Sequence, residues 1–307
     1  MADTVRAAAP VDEGEAMRGF LFAFSAYFLW GLLPLFLKLV DHIPALEVIA
    51  HRILWSVPIA GAVLLLLRRT DDVKRAFRSP RTLLMAALTA SIITVNWGVY
   101  VWAVATDRAL ETALGYYINP LVSIALAAIF LRERLSSLQI VAVALAAVAV
   151  LVLTLDGGGV PWISLVLAFS FAFYGFLRKT LPIGPSQGFF LEVLMLCPLV
   201  LAYILWLQWT GESHFRLDRP ADIALLLACG PVTAGPLLLY AFGAKLLRYA
   251  TIGIMQYIAP SMVFVIAVFF FREPFSTVRA IAFVLIWMAL ALYTWPMLRA
   301  LVSREAR

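Results

Sequence analysis

Ten stretches of the chain are almost wholly apolar: about 18–38, 45–67, 82–105, 110–131, 137–155, 160–177, 187–209, 222–244, 250–271 and 277–298. Each comes close to the roughly 20 residues a helix needs to cross hydrocarbon. The apolar residues run continuously instead of alternating, which excludes the strands of a membrane β-barrel. Short polar connections separate the runs and leave no room for an attached soluble domain. The pattern predicts an all-α polytopic membrane protein with ten transmembrane helices.

Composition agrees. Apolar residues are 64% of the 307 and charged residues 14%, against roughly 45–50% and about 25% in a soluble domain. The formal charge of +6 on its own suggests acidic partners, but its distribution points to membrane topology. Along the ten runs, 17 Lys and Arg fall on the side of the N-terminal tail and 6 on the other, with Arg52 inside a run. Basic excess marks the cytoplasmic face, so both termini are expected in the cytoplasm and no nucleic-acid partner is expected. Cys197 and Cys229 both lie in apolar runs, which offers neither a disulfide framework nor metal-ligand spacing. No metal and no cofactor are expected. Residues 1–17 carry Asp12, Glu13 and Glu15, unlike a signal peptide, and are expected to be a disordered cytoplasmic tail.

The chain also repeats itself. Shifting it by 140 places 117–136 on 257–276 with eight identities in twenty, among them Tyr117/Tyr257, Pro120/Pro260, Arg132/Arg272 and Glu133/Glu273. A weaker echo joins Glu47–Val48 to Glu192–Val193. Residues 18–155 and 160–298 then form two halves of five helices each, and 299–307 a second cytoplasmic tail. Five is odd, so the second half enters the membrane inverted. Inverted repeats are frequent in secondary transporters.

Several motifs carry a resemblance: Ser25–Gly31 (SAYFLWG), His51–Ser56 (HRILWS), Asn96-Trp97, Leu114–Leu121 (LGYYINPL), Phe130–Arg134, Ala168–Gly175 and Gln256–Pro260. Together they resemble RarD-type permeases of the EamA group in the drug/metabolite transporter superfamily, from about residue 17 to 298. The resemblance implies a multi-pass protein of a bacterial inner membrane and a small-molecule substrate.

No phosphate cradle G-x-x-x-x-G-K-[ST] occurs, so transport is expected to be secondary or facilitated. Gly184–Gly188 fits G-x-S-x-G, but that motif needs a strand-to-helix turn above a sheet. No enzyme activity is expected, and the segment predicts a helix start. Prolines inside the runs, including Pro120, Pro260 and the pair Pro231/Pro236, predict kinks or cavity-lining bends, the pair breaking its helix twice. Arg132-Glu133 and Arg272-Glu273 are expected as exposed or interfacial pairs. The small-residue runs Ala142–Ala149 and Ala280–Ala291 suit buttressing or a homodimer.

Polar tips and amides inside the runs nominate a substrate site: Tyr27, Trp30, Arg52, Asn96, Trp97, Tyr100, Tyr117, Asn119, Gln256 and Tyr257. A ring of such residues suits a small, partly apolar solute; interhelical hydrogen bonding is the plainer use. Glu47, His51 and Glu192 are expected in gating or proton coupling, the alternative being favourable helix-dipole placement. Arg52 is expected either to bridge to Asp107 or Glu111 or to bind an anionic group of the substrate. The function expected is a secondary transporter of a small organic metabolite or drug-like solute across the lipid bilayer, and the family resemblance implies an exporter. A flippase or scavenger of an amphipathic lipid-linked molecule and a non-transporting sensory or structural membrane protein remain as alternatives.

Overall fold

The computed structural model describes residues 13–130, 132, 135–156, 159–180, 182–247 and 249–305. Those residues form helices and no strand: α1 (Glu13–Leu39), α2 (Ala45–Leu66), α3 (Thr70–Phe77), α4 (Pro80–Ala105), α5 (Ala109–Phe130), α6 (Ser137–Asp156), α7 (Trp162–Thr180), α8 (Pro185–Thr210), α9 (Pro220–Leu246), α10 (Tyr249–Met255), α11 (Ile258–Val265) and α12 (Thr277–Glu305). A π-helical turn, Ile266–Phe270, continues α11. Eight helices are long and apolar enough to cross a membrane, and two shorter apolar segments, Trp162–Arg178 and Ile258–Phe270, accompany them. The protein is an all-α polytopic membrane protein.

Local chemistry sets the boundaries. Ser79 accepts a hydrogen bond from the Thr82 N–H and Pro80 opens α4, a side-chain cap before a first-turn proline. Gly211 ends α8 in the left-handed region at φ 76°, the conformation glycine adopts without a Cβ clash. Arg272 ends the π-helical turn with φ 55°. That turn throws Glu273 back onto α5, where its carboxylate accepts the N–H groups of Ala109 at 2.7 Å and Leu110 at 2.9 Å. Glu273 is therefore a buried helix cap, not the exposed pair expected from sequence. Arg132 shares the conformation, at φ 54°; Glu133 lies outside the described residues.

α1 packs along α9, α4 and α5 along α7, α1 against α11, α6 along α12, and α2 between α8 and α9. Hydrocarbon-facing side chains stay exposed, such as Leu66, Leu84 and Leu155, while small residues carry the close contacts. Ala142, Ala146 and Ala149 of α6 and Ala282 and Ala289 of α12 are buried. These buried alanines pack α6 against α12 within one chain, while Ala144, Ala147 and Ala291 of the same runs stay exposed.

Other expectations are corrected. Glu13–Met17, assigned to the first tail, already belong to α1, and 299–305 belong to α12; residues 1–12 lie outside the described ones. α9 runs unbroken through Pro231 and Pro236. The break falls instead at Gln256–Tyr257, between α10 and α11. Pro260 contributes to it, since it cannot donate to the Gln256 carbonyl four residues back and its ring clashes there. Its repeat counterpart Pro120 sits within continuous α5. The polar connection between the second and third apolar runs holds the short amphipathic α3, with Val73 and Ala76 buried.

Candidate functional site

Arg52 lies in the third turn of α2, only 4% exposed. Its Nε donates to Thr233 Oγ1 of α9 at 3.0 Å, and its guanidinium stands 5.3 Å from the ring centre of Trp97. Cys229, Tyr100 and Tyr116 lie within electrostatic reach of it. Nη1 is buried without a hydrogen-bond partner. The bridge to Asp107 or Glu111 does not form. Asp107 is held by Lys38 at 2.7 Å and Glu111 by Arg108 at 2.8 Å, both at the surface end of their helices.

Thr233 reaches Arg52 because α2 and α9 approach closely. A Cβ on Gly230 would stand 2.6 Å from the Trp55 carbonyl oxygen, so glycine is the residue that fits there. The surrounding polar groups are fixed in place. Asn96 donates to the Leu167 carbonyl at 3.1 Å and Ser170 Oγ at 2.9 Å, and accepts from Tyr116 OH at 3.0 Å. The rings of Tyr100 and Tyr116 lie 5.7 Å apart.

The structure divides the expected aromatic ring into separate places. Asn96, Trp97 and Tyr100 gather at Arg52. Tyr27 and Trp30 instead pack with Tyr240 of α9, with ring centres 5.6–5.9 Å apart. Tyr117 and Tyr257 line a third place, a cavity of about 440 Å³ with Ser261, Phe264 and Trp287; Tyr117 OH and Ser261 Oγ are 2.6 Å apart. Asn119 donates to the Ala168 carbonyl at 3.0 Å and ties α5 to α7. Gln256 sits in the break between α10 and α11.

The two acids occupy opposite ends. α2 and α8 run antiparallel, since the segment after α8 meets the start of α2. At that end Glu47 is fully buried and accepts from Ser213 Oγ at 3.1 Å, the His214 N–H at 2.8 Å and His214 Nδ1 at 2.8 Å. At the other end Glu192 of α8 accepts from Thr89 Oγ1 at 2.7 Å and Tyr174 OH at 3.1 Å, with Arg178 Nη1 at 3.5 Å. His51 does not pair with Glu47. Its Nδ1 accepts from Trp55 Nε1 at 3.0 Å, and its ring stacks on Phe215 at 5.2 Å.

Thr233, Cys229, Ser213, His214, Thr89 and Arg178 escaped the sequence reading; the Pro231–Pro236 interval in α9 was the one available signal for Thr233. Gly184–Gly188 forms the start of α8, where Ser186 Oγ donates to Gln187 Oε1 at 3.0 Å.

The profile of the EamA-like transporter family matches residues 17–155. Protein RarD of Streptomyces exfoliatus is 44% identical over 295 residues, covering 96% of this chain and 94% of that one. The chain is a RarD-type member of the EamA-like transporter family. This EamA-like transporter is also 38% identical to an uncharacterized transporter of Vibrio cholerae, over 96% of the one and 98% of the other. It is 32% identical to the chloramphenicol-sensitive protein RarD of Pseudomonas aeruginosa, over 94% and 97%. A solved crystal structure with 20% identity shares the fold at a TM-score of 0.58, over 92% of this chain and 98% of that one. The protein is thus a multi-pass membrane transporter.

Proposed function

We propose that this transporter exports a small organic solute across a bacterial inner membrane by alternating access, with Glu47 and Glu192 as latches at its two ends. The observation that carries the reading is the pair of buried carboxylates. They occupy matching places in the repeat, sit at opposite ends of antiparallel α2 and α8, and each reaches into the other half: Glu47 to Ser213 and His214, Glu192 to Thr89. Releasing one latch while the other holds opens the Arg52 region to one side at a time. The packing supports two equivalent halves. Exchanging each span for its counterpart turns the α1–α9 contact into α7–α4 and the α5–α7 contact into α11–α1, and returns α2–α8 and α6–α12 to themselves. Such interchangeability is what an inverted repeat requires of a rocking mechanism.

Topology follows from the basic excess on the side where α1 begins, which assigns that side to the cytoplasm. The flippase reading has one observation in its favour: the cavity at Tyr117 and Tyr257 is mostly apolar, and its wall residues Val265 and Trp287 are partly exposed on the flank.

The test is flux. Proteoliposomes of the purified protein are given a defined mixture of isotope-labelled metabolites that includes chloramphenicol, because one relative carries that drug in its name. Accumulation of a component above empty liposomes, reduced in Glu47→Gln and Glu192→Gln, is the expected result. A mixture in which no component moves refutes the reading.

A further inference from the structure

Burying a cation without a partner is among the costliest arrangements a membrane protein can hold, and natural intramembrane charges are almost always paired. Arg52 is such a cation. Among the described residues no carboxylate lies within ion-pair distance of it. Four acids at its own end are committed elsewhere: Glu47 to Ser213 and His214, Asp107 to Lys38, Glu111 to Arg108, and Asp222 to His42. What surrounds the guanidinium is a hydroxyl, an indole face, two phenols and the Cys229 thiol. Thr233 occupies Nε, and Nη1 is a buried donor with nothing to donate to. A water molecule would satisfy that donor and leave the charge uncompensated.

We infer that the missing partner is the solute: a monocarboxylate with an apolar or aromatic body, its carboxylate on Arg52 Nη1 and its body against Trp97, Tyr100 and Tyr116. Three features select this class. Arg52 is the lone cation described at the site, which matches one negative charge and under-neutralises a phosphate dianion. Both N–H groups of the Asn96 amide are engaged by Leu167 and Ser170, and its oxygen already accepts from Tyr116 OH, so Asn96 offers a solute ammonium one lone pair at most. No carboxylate stands by to balance an amine, which disfavours zwitterions and organic cations. Arg52 is sealed with both latches made, so the carboxylate enters when one of them opens.

The inference rests on the transport reading, and the experiment separates their failures. Purified full-length protein in lipid nanodiscs is titrated with carboxylate–carboxamide pairs of equal shape: phenylacetate and phenylacetamide, indole-3-acetate and indole-3-acetamide, octanoate and octanamide. Binding is read from the thermal midpoint and Trp fluorescence. At least one carboxylate should bind tenfold or more tightly than its amide. Arg52→Met should abolish that preference, and Arg52→Lys should keep it in weakened form. Without ligand, Arg52→Met should melt at or above the wild-type temperature, because it removes an unpaired charge, whereas a structural Arg52 would make it melt lower. The inference is overturned if no pair is discriminated, if discrimination survives in Arg52→Met, or if that variant alone is destabilised. A carboxylate that binds through Arg52 yet never crosses proteoliposomes refutes transport and spares the site. A neutral solute that crosses equally well in wild type and Arg52→Met does the reverse.

Discussion

Replacing Gly230 by alanine tests the close seam between α2 and α9 that brings Thr233 to Arg52. The new Cβ would lie 2.6 Å from the Trp55 carbonyl oxygen and 2.8 Å from its carbonyl carbon. Both atoms are backbone, so no rotamer change relieves the contact. Restoring ordinary contact moves the helices apart by roughly 1 Å, and overpacking of this kind costs about 1–3 kcal/mol. The same movement stretches the 3.0 Å bond from Arg52 to Thr233 to about 4 Å, beyond hydrogen-bond range. Loss of a bond to a charged group adds about 1.5–3 kcal/mol, and the gain in helix propensity from Gly to Ala returns about 1 kcal/mol. The net loss is about 1.5–5 kcal/mol by these terms. Gly235 is the internal control: it lies in the same helix and its Cβ would meet nothing within 4 Å. Gly235→Ala should be neutral or stabilising by up to about 1 kcal/mol. Unfolding of both variants in mixed micelles titrated with SDS, followed by circular dichroism, measures the difference. Two variants that unfold together, within about 0.5 kcal/mol, would refute the close-seam account.

Other outcomes can be checked separately. Leu217, 95% exposed, and Lys74, with its side chain 71% exposed, lie at opposite ends; in cells, Leu217→Cys should react with an impermeant maleimide from outside and Lys74→Cys only after lysis, and the reversed pattern would invert the topology. Cys229 is fully buried beside Arg52, so in a Cys197→Ser background Glu47→Gln or Glu192→Gln should speed its alkylation by N-ethylmaleimide several-fold; unchanged rates in both would leave the carboxylates purely structural. Burial holds the Glu273 carboxyl above the ordinary carboxylate range, outweighing the N–H groups of Leu110 and Ala109 that oppose the shift. Its contribution to stability is therefore complete below the unfolded value of about 4.3 and lost as pH rises through the raised one. Glu273→Gln should flatten that decline in thermal midpoint, and an identical pH profile would contradict it.

The eight long spans and the two shorter apolar segments were legible because a membrane demands continuous apolar length, which sequence displays directly. The break at Gln256–Tyr257 was not legible, since Pro120 and Pro260 occupy matching positions and only one interrupts its helix. That Arg52 is buried followed from its place in an apolar run. Its partner did not, because Thr233 is 181 positions away on a helix whose approach depends on a missing Cβ at Gly230. Glu47 and Glu192 stood out through the repeat, yet His51, on the same helical face as Glu47, was a nearer candidate than His214, which arrives from the segment after α8. Helical spacing reports neighbours along one helix and carries no information about what a distant segment brings to it. Arg272-Glu273 looked exposed because charge at a span's end usually meets headgroups. The left-handed turn at Arg272 redirects the carboxylate inward, a backbone event with no marker in composition.

Glu273 fastens the end of the α11 span to the start of α5, while the far end of that span is jointed at Gln256–Tyr257. The counterpart α5 has no joint and runs as a single rod. The two matching spans therefore differ as building parts: α5 is one continuous rod held at its first turn by the Glu273 pin, and the α10–α11 span is two shorter pieces meeting at a joint.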